Sequence, residues 1–176
     1  MRGALTTWSA ALSLMSVLAG GCGLTSAIDV SRRVDPKAVG KLAVLPFAGH
    51  RGDNFSDHVT HELVARGYSV VERSNLNAIL KEQGLQFSDL VEGRGDLRRI
   101  GQLLGADSLV LGSVSPITVY VSGAVSGKVS GASLRFVSVS TGEVLGSASY
   151  GWGSDFLPFA PTYTEAAAKL VNGITP

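Results

Sequence analysis

Three textures of hydrophobic patterning follow one another along the chain. Residues 4–21 carry no charge and hold Trp8, Leu12, Leu14, Met15, Val17 and Leu18. Residues 41–112 alternate short apolar runs with amphipathic segments. Lys41–Phe47 (KLAVLPF) is a continuous apolar run after Gly40 and broken by Pro46, the pattern of a strand buried on both faces. A helix is predicted from Ser56 as N-cap to Arg66, with Val59, Leu63 and Val64 on one side and Gly67 as its stop. Tyr68–Arg73 reads as a second strand. Ser74 is expected to cap a helix carrying Leu76, Ile79 and Leu80, with Gly84 ending it. Asp96 opens a third helix with Leu97, Ile100, Leu103 and Leu104, stopped at Gly105, and Ser108–Gly112 is again a strand. From Ser108 to Ser154 only Lys128, Arg135 and Glu143 are charged, and serine and glycine alternate with valine. The period there is near two, in Val119 and Val121, Val125 and Val129, Leu134 and Phe136, so this is strand territory. Thr141-Gly142 is placed as a tight turn between strands Ser133–Ser140 and Glu143–Tyr150. Thr162-Tyr163-Thr164-Glu165 is a capping box for a last helix over Ala166, Leu170 and Val171, with Gly173 as its stop. Strand, helix, strand, helices, strand is the order of an α/β layer.

The N-terminal texture is a targeting signal. Met1-Arg2-Gly3 gives a short positive start, and the apolar run collapses into Ala19-Gly20-Gly21-Cys22. The run approaches the ~17 residues that a spanning helix needs, but the glycines and the polar, Pro-containing segment after them fit cleavage better. Leu18-Ala19-Gly20-Gly21-Cys22 resembles the bacterial lipobox Leu-Ala-Gly-Cys with one extra glycine, which puts Ala19 three residues before the cysteine. The resemblance implies a diacylglycerol thioether on Cys22 and a further acyl chain on its freed amine. Several chains at ~0.8 kcal/mol per buried methylene anchor stably where one would be marginal. Gly23, rather than aspartate, follows Cys22, which by resemblance to enterobacterial sorting implies the periplasmic face of the outer membrane. The expected organisation is a signal peptide over 1–21, a lipidated cysteine and irregular polar tether over 22–40, and one α/β domain over 41–176. The tether includes Ser31-Arg32-Arg33 and Asp35-Pro36.

Composition narrows the function. The chain has 176 residues, 45% hydrophobic and 16% charged, below the ~25% charge of ordinary soluble domains. One cysteine forms no internal disulfide and no Cys-rich zinc site. Without residues 1–21, which hold Arg2, 14 basic side chains face 14 acidic ones. That balance argues against nucleic acid, which wants clustered Lys and Arg. The lipid, rather than charge, then sets the localisation.

Four blocks support a family resemblance. Lys41–Phe47, Val71–Leu85 (VERSNLNAILKEQGL), Gly105–Ser113 (GADSLVLGS) and Leu134–Leu145 (LRFVSVSTGEVL) occur in that order. Together they resemble the CsgG-type family of curli production assembly/transport lipoproteins and their smaller relatives. The resemblance covers residues 41–150 and implies a mixed β-sheet flanked by helices, tethered by an N-terminal lipid. The positions themselves read as structural: Glu72-Arg73-Ser74 ends a strand and caps a helix, Asp107 can bond a turn, and Thr141-Gly142-Glu143 is hairpin chemistry. The curli channel inserts two hairpins per subunit. At the first matching position this chain offers only Pro116–Gly131, broken near Gly123. Arms of about six or seven residues, tilted by ~45°, cover ~15 Å of a ~30 Å hydrocarbon core, so no spanning pore is expected. The second position, Gly151–Pro161, holds Pro158 and Pro161, which resist strand pairing.

Candidate chemistry is sparse. His58 and His61 lie three apart on one predicted helix and, with His50 or Glu62, could form a catalytic zinc site. The order is not that of an inverzincin, and a solvated helix face accounts for the pair as well. The expected inventory is no catalytic residue, no metal ligand and no cofactor beyond the lipid on Cys22. Arg51-Gly52-Asp53 and Arg94-Gly95-Asp96 both spell an integrin tripeptide, a frequent coincidence in Gly-rich loops. Tyr150, Trp152, Phe156, Phe159 and Tyr163 form an aromatic run that either packs the last helix on the sheet or offers a partner-binding patch. The expected function is a non-enzymatic assembly or secretion accessory acting through protein–protein contacts. The expected partners are an envelope or secreted protein and further copies of the chain in a homo-oligomeric ring. The alternatives are a lipoprotein activator of a penicillin-binding protein, which shares the related sheet architecture, and a zinc hydrolase.

Overall fold

The computed structural model of the chain describes residues 26–82, 84, 96–153 and 159–176. Six strands form one mixed sheet: β1 (Ser26–Val30), β2 (Lys41–Val44), β3 (Ser69–Val70), β4 (Ser108–Val121), β5 (Ala124–Ser138) and β6 (Val144–Trp152). Their order across the sheet is β1-β6-β5-β4-β2-β3. β2 runs parallel to β3 and β4, while the β4-β5-β6-β1 side is antiparallel throughout. The helices are α1 (Pro36–Val39), α2 (Gly52–Ala65), α3 (Arg73–Glu82), α4 (Leu97–Leu103) and α5 (Tyr163–Ile174). The mixed α/β architecture expected from the four sequence blocks is thus present.

The apolar run at residue 41 does what its continuity requires. Leu42 and Ala43 are both buried, and they face different cores. On one face α2 and α5 cover the sheet around Phe55, Val110, Phe136 and Leu170. On the other, α3 and α4 cover only the β2–β4 end, around Leu80, Ile100, Leu109 and Val139. The β2-to-β3 and β3-to-β4 crossovers step in opposite directions across the sheet, which places their helices on opposite faces if both are right-handed. The two large helices of the first face are also joined by Arg66, whose Nε donates to Asn172 Oδ1 at 3.1 Å.

Several boundaries move. The segment expected to be an irregular tether enters the fold at Ser26: β1 pairs antiparallel with β6, and Pro36–Val39 forms a short helix capped by Asp35. Strand pairing 126 residues distant leaves no local mark in the sequence, and the polar residues of β1 suit an edge strand. Helix α2 begins at Gly52, four residues before the expected Ser56 cap. Arg51 precedes it in a left-handed conformation (φ 58°), and Ser56 lies inside the helix, donating to the Asp53 carbonyl at 2.6 Å. β3 is cut to two residues because Tyr68 turns into the core against Phe136 and Glu72 turns to α3. There the Glu72 carboxylate, rather than Ser74, accepts a helix N–H, that of Ser74, at 2.9 Å. Asp96 caps α4 through the Arg99 N–H at 3.1 Å, as expected.

The Thr141-Gly142 turn is longer than a two-residue hairpin, since residues 139–143 lie outside both strands. Val139 leaves the ladder to enter the second core, and its N–H donates to Asp107 instead. The Thr162–Glu165 capping box is complete. Gly173, expected as the stop, lies within α5, where an added Cβ would meet Ile28 and Val30 at 3.1 Å, so the missing side chain lets α5 close on β1.

Candidate functional site

Two features of the antiparallel half are only partly covered by the described residues. The first is the sheet face that α3 and α4 leave uncovered. Strand alternation sends one set of side chains there, and the serine-rich texture now has a location. Ser113 pairs with Ser133, and Ser133 with Ser149, across β4, β5 and β6, while Leu111, Arg135 and Ser147 form the next row. Ser113 Oγ and Ser133 Oγ lie 2.9 Å apart, as do Ser31 Oγ and Ser147 Oγ. The hydroxyls thus bond one another in pairs across the strands. A cleft of about 390 Å³ lies over these rows, with Leu45 and Leu111 at one side and Asp29 and Arg135 as its charged groups. Among the described residues its serines share the cleft with one carboxylate, Asp29, and one guanidinium, Arg135. Its chemistry is that of a polar contact surface. The alternating serines signal it in the sequence, but only strand register reveals which of them share a row.

The second feature is the far half of the β4–β5 hairpin. A bulge at Ser115/Pro116 marks where β5 leaves β6; beyond it, Pro116–Val121 pairs only with Ala124–Val129. Ser122 (φ 50°) and Gly123 (φ 82°) make the two-residue turn, both left-handed as a type I′ turn demands. The arms have the six-residue length expected from the sequence. Val119 and Val129 are buried, whereas the cross-strand pair Tyr120 and Val125 is 76% and 66% exposed.

The aromatic run is divided by the fold. Tyr150 is 3% exposed and belongs to the first core; Trp152 and Tyr163 pack against that core, and Tyr163 stands edge-on to Phe55 at 6.1 Å. Phe159 is 63% exposed. Phe156 and Cys22 lie outside the described residues. The run is therefore not one surface: its two ends hold the α5–sheet contact, and Phe159 faces outward. Burial pushes the Tyr150 phenol up to about 12, helped by Glu165. The Tyr150 hydroxyl and Trp152 Nε1 are buried with no hydrogen-bond partner among the described residues.

His58 and His61 sit in the middle of α2, not near its N-terminus, because the helix starts at Gly52. His58 Nδ1 lies 3.3 Å from Thr164 Oγ1, His61 and His50 are exposed, and the described residues contain no cluster of three His, Cys, Asp or Glu side chains able to hold a metal. In the Arg51-Gly52-Asp53 triplet, Gly52 is buried against the Phe47 carbonyl; Asp96 of the second triplet is the α4 cap. Among the described residues no helix is long and apolar enough to cross a membrane.

A mixed sheet between unequal helix layers, with a β4–β5 hairpin that extends past β6, defines an α/β lipoprotein-type fold. The chain belongs to the CsgG family: the model for the curli production assembly/transport component CsgG matches residues 37–151. Among solved structures it is similar in fold to a PelC dodecamer from Paraburkholderia phytofirmans, at 17% identity over 85% of this chain and 99% of that one, with a TM-score of 0.55. That PelC carries a leucine-to-methionine substitution; a PelC dodecamer from the same organism without that substitution gives 16% identity, 86% and 99% coverage and a TM-score of 0.50. Lipoprotein GNA1162 from Neisseria meningitidis is similar at 23% identity, 62% and 81% coverage and a TM-score of 0.49. No curated protein matches the sequence.

Proposed function

We propose that the chain is a lipoprotein held at the periplasmic face of the outer membrane through Cys22, serving without catalysis as an assembly or secretion accessory by protein–protein contact. The observation that carries this reading is the family match over residues 37–151, which spans β2 to β5, the hairpin and β6 up to Gly151. The cleft supports it: paired hydroxyls with one Arg and one Asp suit a polar contact. A homo-oligomeric ring belongs to the same reading, in keeping with the dodecamers formed by PelC.

The test is crosslinking in the native host from a photoreactive residue replacing Ser133, in the full chain. Adducts with a secreted or envelope-assembly protein and with a second copy are expected. A peptidoglycan synthase as the dominant adduct would overturn the secretion reading in favour of synthase activation. Palmitate incorporation that Cys22→Ser abolishes is expected alongside; unlabelled wild-type protein would remove the anchor from the reading.

A further inference from the structure

Strand direction fixes where the N-terminal segment leaves the sheet. Ser26 pairs with Trp152, and Gly151 pairs with Gly131, so β1 begins at the end of the sheet from which the β4–β5 hairpin projects. Cys22 precedes Ser26 by four residues, which reach at most ~14 Å. From the level of Val129, close to that of Ser26, to the turn at Gly123 is six residues, or ~20 Å along the strand. With the connecting chain fully extended, the hairpin tip still extends ~6 Å beyond the cysteine along the strand direction.

The tip has the composition that this position calls for. Residues 116–127 contain no charged side chain. Tyr120 and Val125, opposite each other next to the turn, are the two most exposed large hydrophobic residues of the described chain. Tyrosine, with an apolar ring and a polar end, is favoured at the boundary between headgroups and acyl chains.

We infer that the hairpin tip is a second membrane contact, seating Tyr120 and Val125 in the interfacial layer of the leaflet that holds the Cys22 lipid. The inference rests on the anchor proposed above. Two contacts at one end of the sheet fix the domain upright on the membrane, with the 139–143 loop facing away and the serine cleft on its flank. Arms of ~20 Å stop inside one leaflet, so the contact orients the domain without opening a pore.

The full acylated protein, reconstituted in vesicles of phosphatidylethanolamine and phosphatidylglycerol, tests this. A solvent-sensitive fluorophore is attached at Val125→Cys, or at Thr141→Cys on the opposite end of the sheet, with nitroxide-labelled phospholipid as quencher. Several-fold stronger quenching at position 125 than at 141, with protection from iodide, is expected. Equal, solvent-like behaviour at both positions in acylated protein overturns the inference alone. Protection from iodide without lipid quenching overturns it in favour of a contact between copies. Intact mass identifies the remaining case: protein without acyl chains overturns the anchor and this inference together.

Discussion

Asp107 holds Lys41 twice. Its backbone N–H donates to the Lys41 carbonyl at 2.8 Å, and its carboxylate Oδ2 accepts the Lys41 N–H at 2.8 Å. The pair aligns β4 with β2, the junction between the parallel and antiparallel halves of the sheet. Gly40 permits the approach, since at its φ of 62° an added Cβ would lie 2.3 Å from Asp107 Oδ2. Asp107→Ala should cost about 1–2 kcal/mol through the lost hydrogen bond. Gly40→Ala should cost at least about 1–3 kcal/mol in backbone strain, with the clash in addition. Urea midpoints at unchanged m-value measure both; a wild-type midpoint in Gly40→Ala would contradict the geometry.

Two buried tyrosines should respond oppositely to loss of the hydroxyl. Tyr68 donates to the Val34 carbonyl, whereas the Tyr150 hydroxyl has no partner among the described residues. Tyr68→Phe should cost about 0.5–1.5 kcal/mol, and Tyr150→Phe should be neutral or slightly stabilising. Burial, foremost, pushes both phenols up to about 12 from the ordinary 10. The raised folded-state value means the phenols' contribution is intact below pH 10 and is lost as pH rises from 10 through about 12. Denaturant midpoints across that window should fall more steeply for wild type than for Tyr150→Phe.

The α5 capping box sets an acid-side limit. Hydrogen bonds from Thr162 backbone and side chain hold the Glu165 carboxyl below its ordinary 4.5, against a smaller opposing effect of burial. A depressed folded-state value contributes stability above pH 4.5 that is lost as pH falls through the lower folded value. The pH slope of stability below 4.5 should therefore flatten in Glu165→Gln. Thr162→Ala should cost about 0.5–2 kcal/mol at neutral pH, read by the same denaturation.

Phe55 is fully buried between Phe47, at 5.3 Å between ring centroids, and Tyr163, at 6.1 Å. It joins α2 to the aromatic end of α5, so Phe55→Ala should cost about 3–5 kcal/mol. Phe55→Leu should cost markedly less, which calorimetric melting would show; equal losses would mean that the aromatic contacts, rather than filled volume, dominate.

The short hairpin predicts electrical silence. Purified acylated protein should give no stable conductance steps in a planar bilayer, because six-residue arms cannot line a hydrocarbon core of ~30 Å. Reproducible steps would require additional spanning strands.

Local chemistry was legible residue by residue. The Asp96 cap, the Thr162–Glu165 box and the strand at Lys41 each depend on neighbours within a few positions, so pattern alone located them. The cap of α2 was not legible. Ser56 is a good cap residue, but the Phe47 N–H donates to the Gly52 carbonyl at 3.4 Å and the Phe55 N–H to the Arg51 carbonyl at 3.1 Å, so the helix is under way before Ser56. The aromatic run was legible as a cluster, but not as core or surface: Tyr150 and Phe159 are of one chemical type and differ only in what covers them.

The sequence by itself determined the α/β class and the limited reach of the hairpin, which follow from period and length within short stretches, and the family, which four ordered blocks carry. Tertiary structure alone decided that Ser26–Val30 joins the sheet beside β6, that the serines meet in rows, and that β1 begins at the end from which the hairpin extends. Each of these is a register between residues distant in the chain. Pairing such as Ser26 with Trp152 is selected by the packing of the whole sheet and imposes no pattern on either segment alone.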